Sequence, residues 1–301
     1  MKKGIILCLI ATMSWGGMFL VTGEILKVMD PFYMTLFRYI PAGILFLIIL
    51  LIIEKANPLK NINKKDLFML WGLGTLGFCG FSFLVFLGQS LSKNGSIIAS
   101  IMMGIQPLIA VIIGKYLRGG KVKNFSIYMM FLALIGVIFV VTNGKISSLF
   151  ISENIIPVVL IFLGATSWVI YSTGVTFFEY SPIKYTALTN LLGGLSIIFI
   201  VSIMTILGYL DLPSVRTVYT LMPNFLYLIF IAGALAVLSW NNGNKLLGPI
   251  NASLFMSVVP ITTFSLSVIF LERTISIYEF IGLILVISAL IGNNTAIRKK
   301  L

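Results

Sequence analysis

Charged residues cut this chain into long apolar runs. Uncharged stretches cover 4–23, 67–92, 94–114, 124–144, 154–178, 185–210, 217–244, 246–271 and 280–297, and one more span, 31–53, is interrupted only by Arg38. Each is close to or above the ~20 apolar residues that cross a hydrocarbon core. The pattern predicts ten membrane helices, at about 4–24, 32–53, 67–91, 95–115, 124–142, 154–178, 185–209, 220–243, 250–271 and 277–295. No intervening segment is long enough for a soluble domain. The first run follows Lys2 and Lys3 like a signal peptide, but it is too long for one and no small-residue cleavage site follows, so it is read as the first helix.

Composition narrows the class further. Apolar residues make up 59% of the 301 and charged residues 10%, with a mean hydropathy of +1.08. Soluble domains run at about 45–50% apolar and about 25% charged. That excludes a soluble globular fold, and disorder with it. Continuous apolar runs also argue against a transmembrane β-barrel, whose strands alternate. The fold expected is an all-α polytopic membrane protein.

The net charge of +12 would suggest nucleic acid on a soluble protein. Sorted by loop, it has a different meaning. With the N-terminus in the cytoplasm, fifteen Lys and Arg fall inside: Lys2 and Lys3, four over 55–65, four over 115–123, Lys184, Lys245 and three over 298–300. Five fall outside: Lys27, Lys93, Lys145, Arg216 and Arg273. This positive-inside bias puts both termini in the cytoplasm of a plasma-membrane protein, consistent with an even number of spans. No nucleic-acid partner is expected; the partners are a small solute and the lipid bilayer.

Shifted by 153 residues, the chain matches itself. Ser14-Trp15 falls on Ser167-Trp168, Gly80 on Gly233, Gly95 on Gly248, Ala99-Ser100 on Ala252-Ser253 and Pro107 on Pro260. The expected organisation is a first five-helix repeat over 1–142, a linker over 143–153 and a second repeat over 154–301 with a short basic tail. Five is odd, so the second copy enters the membrane from the opposite side. Inverted repeats of this kind are typical of secondary transporters, with a site at the repeat interface.

These residues resemble the drug/metabolite transporter superfamily, in particular its EamA-type members. The resemblance rests on Ser14-Trp15-Gly16, on Arg38, on Trp240-Asn241, and on a segment that occurs twice. Its two copies are Gly95-x3-Ala99-Ser100-x6-Pro107 and Gly248-x3-Ala252-Ser253-x6-Pro260, the second followed by Leu271-Glu272. One departure is visible: Glu272 falls on Gly119, so the first copy lacks that acid. The resemblance covers nearly the whole chain. It implies alternating-access transport of small metabolites, often export of amino acids or related compounds.

Several polar and aromatic residues within the spans are candidate solute contacts. The fourth span sets Ser96, Ser100, Met103 and Pro107 along one face, and the ninth sets Ser253, Ser257 and Pro260 likewise. A mid-helix proline removes a backbone hydrogen bond and strains the preceding turn. Pro107 and Pro260 are therefore read as kinks, either for packing or for gating, and the expected strain lies near Met103 and Met256. Ser100 and Ser253 suit a cavity or close helix packing. Trp15, Trp168 and Tyr171 suit an aromatic cavity wall or a lipid-facing surface. Polar groups deep in spans are costly, which singles out Gln89, Gln106, Asn190, Trp240 and Asn241, with Asn242 and Asn244 beside them. The asparagines of the eighth span have the alternative of reaching water at its cytoplasmic end. Arg38 is the one basic residue inside a span. It is read either as a contact for a solute carboxylate or as a structural charge that snorkels outward or pairs with Glu24 or Asp30.

The expected function is a carrier, with a non-transporting membrane interaction protein as the rival. An enzyme is not expected: the chain has no histidine, and no paired intramembrane carboxylates or nucleophile–base arrangement can be named. Cys8 and Cys79 are read as packing residues, and no metal or cofactor is expected. Every Asp and Glu lies near a predicted helix end, which favours facilitated diffusion or exchange over proton coupling.

Overall fold

In the computed structural model the described residues are 2–55, 62–92, 94–118, 124–145 and 152–298. Lys60, Asn61, Lys93, Gly119, Lys121, Lys123 and the tail residues Lys299 and Lys300 lie outside them, as does most of the 143–153 linker.

The described residues form ten helical rods, one short helix over Val215–Thr220 and no strand. The first repeat holds α1 (Lys2–Ile25), α2 (Pro31–Glu54), α3 (Lys64–Ser90), α4 (Gly95–Gly104, then Gln106–Arg118) and α5 (Asn124–Thr142). The second holds α6 (Ser152–Gly174), α7 (Pro182–Ile206), α8 (Met222–Leu247), α9 (Pro249–Leu271) and α10 (Ile277–Arg298). Seven rods are individually long and apolar enough to cross a membrane, and α4 makes an eighth when its two parts are joined. The apolar stretches of α5 and α10 are shorter, 127–140 and 277–289.

Local chemistry sets the boundaries. Asp30 caps α2, accepting from the amides of Phe32 and Tyr33, and Pro31 opens the helix with a φ already suited to it. Ser181 and Pro182 repeat this arrangement at α7. That is why α6 stops at Gly174 and α7 starts at Pro182, where the charge gaps suggested 178 and 185. Lys184 sits inside the first turn of α7 and so misleads a reading based on charges.

Helix contacts respect the repeat. α3 packs on α6 as α8 packs on α1, and α3 packs on α7 as α8 packs on α2. The terminal helices α5 and α10 lie against each other and against α4 and α9. α3 and α8 carry matching π-helical turns, Thr75–Gly80 and Tyr227–Leu235. The 153-residue shift superposes their glycines, and a Cβ on Gly80 or Gly233 would face the carbonyl of Thr75 or Leu228, at 3.5 and 2.7 Å. Thr75 and Leu228 are themselves related by that shift.

The closest backbone approach in the α3–α7 seam is between Gly74 and Gly193. A Cβ on Gly74 would collide with the Thr189 carbonyl, and one on Gly193 with the Gly74 carbonyl. Backbone cannot rotate aside as a side chain can. Gly74→Val is expected to destabilise the protein by at least the ~1–3 kcal/mol of an overpacked core. A lowered melting temperature in detergent checks this; an unchanged one would show that the two helices can part freely.

Candidate functional site

The two repeat-related tryptophans meet at the centre. Trp15 of α1 and Trp168 of α6 stand edge to face with ring centroids 5.2 Å apart. Trp240 meets Trp15 edge to face at 5.3 Å, and Phe81 and Tyr171 lie 5.1 Å from Trp168. All of these rings are buried except where they face one another, which removes the lipid-facing reading of Trp15, Trp168 and Tyr171.

Between them is a small cavity of about 10 Å³, room for about one water molecule. Its walls come from both repeats: Trp15, Met18 and Phe19 of α1, Arg38 and Tyr39 of α2, Phe81 of α3, Met103 and Gln106 of α4, Trp168 of α6, and Met256 and Val259 of α9. Met103 and Met256 are related by the 153-residue shift. They reach the cavity because their helices break beside them. α4 bends by 45° between Gly104 and Gln106, ahead of Pro107. α9 tightens into a 3₁₀ turn over Leu254–Ser257, ahead of Pro260. Both prolines are buried. The strained turns fall where loss of the proline N–H predicts.

Arg38 is the strongest feature of the cavity. It lies seven residues past Pro31, about 10 Å down α2, and is only 1% exposed, so it does not snorkel. The expected acid partners are occupied elsewhere. Glu24 pairs with Lys27 at 2.7 Å, and Asp30 accepts the α2 amides. Among the described residues Arg38 has no carboxylate partner. Its Nη2 donates weakly to the Ala232 carbonyl at 3.4 Å, which also accepts from Trp15 Nε1 at 3.0 Å. The guanidinium rests over Tyr39 and Phe86, with Cζ 4.6 and 5.7 Å from the ring centroids. Nε and Nη1 have no partner, and neither do Trp168 Nε1 or the Tyr39 hydroxyl. The unpartnered polar groups on the cavity wall can therefore all donate, and the Tyr39 hydroxyl can accept as well.

The Ala232 carbonyl is presented by the π turn of α8. There the Ala236 amide reaches back to Ile231 and Gly233 and not to Ala232. A π turn offset from the α ladder is a recurrent feature of functional sites.

Of the remaining candidates only Gln106 lines this cavity. It donates to Met103 Sδ at 3.0 Å. Ser100, Ser253 and Ser257 turn their hydroxyls back to the carbonyls of Ile97, Ile250 and Leu254. Trp240 and Asn241 join a polar network one layer towards the end of the bundle that carries Lys55 and Lys245, here called the basic end. Trp240 Nε1 donates to Ser172, and Asn241 Nδ2 donates to Tyr171 and Thr186 at 2.7 and 2.8 Å. Asn241 and Asn244 are fully buried, which corrects the reading that water satisfies them. The flanking helices α6 and α7 cover that end of α8. Asn190 sits against Gly43, buried, with neither amide atom partnered.

Gln89 belongs to a second space. It bonds Thr22, Ser96 and the Phe19 carbonyl, forming the floor of a vestibule of about 450 Å³ at the end opposite the basic one. Glu24, Asn94 and Arg273 stand at its mouth. Arg273 also donates to Glu279 at 2.6 Å and to Asn94 at 3.1 Å. At the basic end, bonds join the two repeats. Ser181 donates to Glu54, and Tyr180 donates to Asp66 at 3.0 Å. Partial desolvation and the Asp66 carboxylate hold the Tyr180 phenol above its ordinary pKa, so it remains a donor at neutral pH. Lys245 ties the same end to the carbonyls of Phe178 and Tyr180.

Sequence reasoning passed over Tyr39, Phe81, Met18, Phe19 and Val259 as cavity walls. Tyr39 was within reach of it, since it follows Arg38 directly.

Comparison with known proteins places this geometry. The model of the EamA-like transporter family matches residues 2–142 and again 155–295. An uncharacterized transporter of Bacillus subtilis strain 168, YrdR, is 35% identical over 308 residues, covering 100% of this chain and 95% of its own. Protein PecM of Dickeya dadantii is 24% identical over 283 residues, covering 92% and 87%. The riboflavin transporter ImpX of Fusobacterium nucleatum is 25% identical over 159 residues, about half of each chain. A crystal structure with 17% sequence identity superposes with a TM-score of 0.72 over 99% of this chain and 98% of that one, which supports the fold. Both halves of the chain match one family model, and the chain belongs to the EamA-like transporter family, whose members move small solutes across membranes.

Proposed function

We propose that the protein exports a small carboxylate-bearing organic metabolite, an amino acid or related compound, across the plasma membrane by alternating access, with both termini in the cytoplasm. The observation that carries the solute class is Arg38. A buried charge within a membrane is expensive, by about 2.5–3.5 kcal/mol on insertion scales, unless something compensates it. Here an always-protonated fork faces a cavity with two of its nitrogens unpartnered. Arginine and a carboxylate match in charge and in planar geometry. Trp168 Nε1 and the Tyr39 hydroxyl add donors on the same wall, and the aromatic rings suit an apolar or planar remainder.

Alternating access is supported by the inverted repeats, by the break in each of α4 and α9, and by the contrast between the two ends. A vestibule occupies one end, and inter-repeat hydrogen bonds tie the other. The outward direction rests on the family resemblance. A thermal-shift screen of the purified protein against small carboxylates, amines and neutral solutes tests the solute class, because a bound solute raises apparent stability by mass action. At least one carboxylate should raise the melting temperature of the wild type and leave Arg38→Met unchanged. Stabilisation by amines or neutral solutes alone would refute the reading.

The orientation has its own test. Cys8 and Cys79 are buried, so background labelling by a polar thiol reagent is low. In intact cells Leu212→Cys, in the exposed α7–α8 loop, should label with an impermeant reagent, and Asn61→Cys should not. The reverse pattern would invert the topology.

A further inference from the structure

We infer that the protein is a uniporter for monoanionic organic acids, with each cycle carrying one net negative charge, so that the membrane potential itself drives export. This rests on the reading of Arg38 as a carboxylate contact and narrows the solute from amino acids and their relatives to those relatives that lack the ammonium, which fixes the charge of the whole solute and the energetics of its movement.

The cavity carries one fixed positive charge and no acid. All nine carboxylates of the chain are at positions 24, 30, 54, 66, 153, 179, 211, 272 and 279, and none of these lines the cavity. A monoanion neutralises Arg38 inside the low-dielectric core. A zwitterionic amino acid leaves a net positive charge there, and its ammonium meets no carboxylate on the wall. The Ala232 carbonyl accepts from both Trp15 and Arg38, and the faces of Tyr39 and Phe86 are taken by the guanidinium. Nothing on the wall offers the ammonium an anionic partner, whereas a 2-oxo or 2-hydroxy group in its place needs only a donor.

The same wall bears on coupling. A proton travelling through the site with the solute needs a titratable side chain there. The ionisable side chains there are Arg38, always protonated, and the Tyr39 phenol. A uniporter returns without solute, and Tyr39, Phe86 and the Ala232 carbonyl are the groups against which the guanidinium rests on that return. The solute then carries all the moving charge. A negative-inside potential of 100 mV is worth about 2.3 kcal/mol per charge, or about 50-fold in the ratio of external to internal anion.

The test uses the full-length protein in liposomes with three labelled pairs: phenylpyruvate and phenylalanine, 4-methyl-2-oxopentanoate and leucine, pyruvate and alanine. A tenfold inward K⁺ gradient with valinomycin makes the interior positive by about 59 mV. The oxo acid of at least one pair should accumulate about tenfold over the protein-free control, with its amino acid moving at least tenfold more slowly. Reversing the K⁺ gradient should exclude the acid, and a pH gradient alone should not drive it. Arg38→Met should abolish the flux. Arg38-dependent movement that ignores the potential, or amino acids that move as fast as their oxo acids, would overturn the inference and leave the carboxylate reading in place. Movement of none of the three acids would overturn the inference as well. Acid flux that survives in folded Arg38→Met would overturn the reading beneath it.

Discussion

Arg38→Met is expected to abolish carboxylate transport while making the protein more stable. These two effects seldom go together, which makes the variant diagnostic. Most buried side chains, when replaced, lose contacts and stability. Arg38 instead holds a charge in a site where the protein supplies one long hydrogen bond and two aromatic faces. Removing an undercompensated charge while keeping an apolar stem of similar length recovers desolvation free energy, on the order of 1–3 kcal/mol. The solute loses more. Truncating one partner of a buried, hydrogen-bonded charge pair costs about 2–5 kcal/mol, or about thirty-fold to a few thousand-fold in affinity. Arg38→Lys keeps the charge but not the planar fork, and should fall between Met and the wild type. Melting temperature in detergent and flux in liposomes check the pair of effects. A sharp loss of stability in Arg38→Met would mean that the arginine serves the fold.

The second large effect is expected from the paired prolines. The bend ahead of Pro107 and the 3₁₀ turn ahead of Pro260 bring Met103 and Met256 to the cavity from opposite repeats. An alanine at either position restores an amide donor and favours a straight α-helix. The double variant Pro107→Ala, Pro260→Ala should therefore draw the methionines away and lower flux by tenfold or more, with expression and melting temperature near the wild type. The single variants need not be equal, because inverted repeats place the two breaks towards opposite ends of the site. Unchanged flux in the double variant would reduce the bends to packing features.

The helices and the repeat were legible in the sequence because both are written in long-range patterns. Apolar runs between charges set the rods, and Trp15–Trp168 with Pro107–Pro260 set the register. The boundaries at Gly174 and Pro182 were less so, since a cap such as Ser181 acts through two or three local hydrogen bonds that a charge count passes over. The cavity was only partly legible. Arg38, Trp15 and Trp168 stand out as costly or rare residues. Phe81, Phe19 and Val259 are ordinary apolar residues in a chain full of them, and helix packing alone brings them to the centre. Ser100 and Ser253 stand out in the repeat but do not line this cavity. Their hydroxyls satisfy themselves on the preceding turn, as serines in membrane helices do when no neighbour competes. The π turns of α3 and α8 left no trace beyond Gly80 and Gly233, because a π turn is a change in hydrogen-bond register and needs no particular residue.

The most direct test of a carrier with Arg38 at its solute site is counterflow. Liposomes holding the protein are loaded with an excess of an unlabelled carboxylate that raises its melting temperature, then diluted into a trace of the labelled compound. A carrier with one alternating site should draw the label inward above its outside concentration before it decays, and Arg38→Met should show no overshoot. A monotonic approach to equilibrium, as through an open pore, or an overshoot that persists in Arg38→Met, would contradict the account.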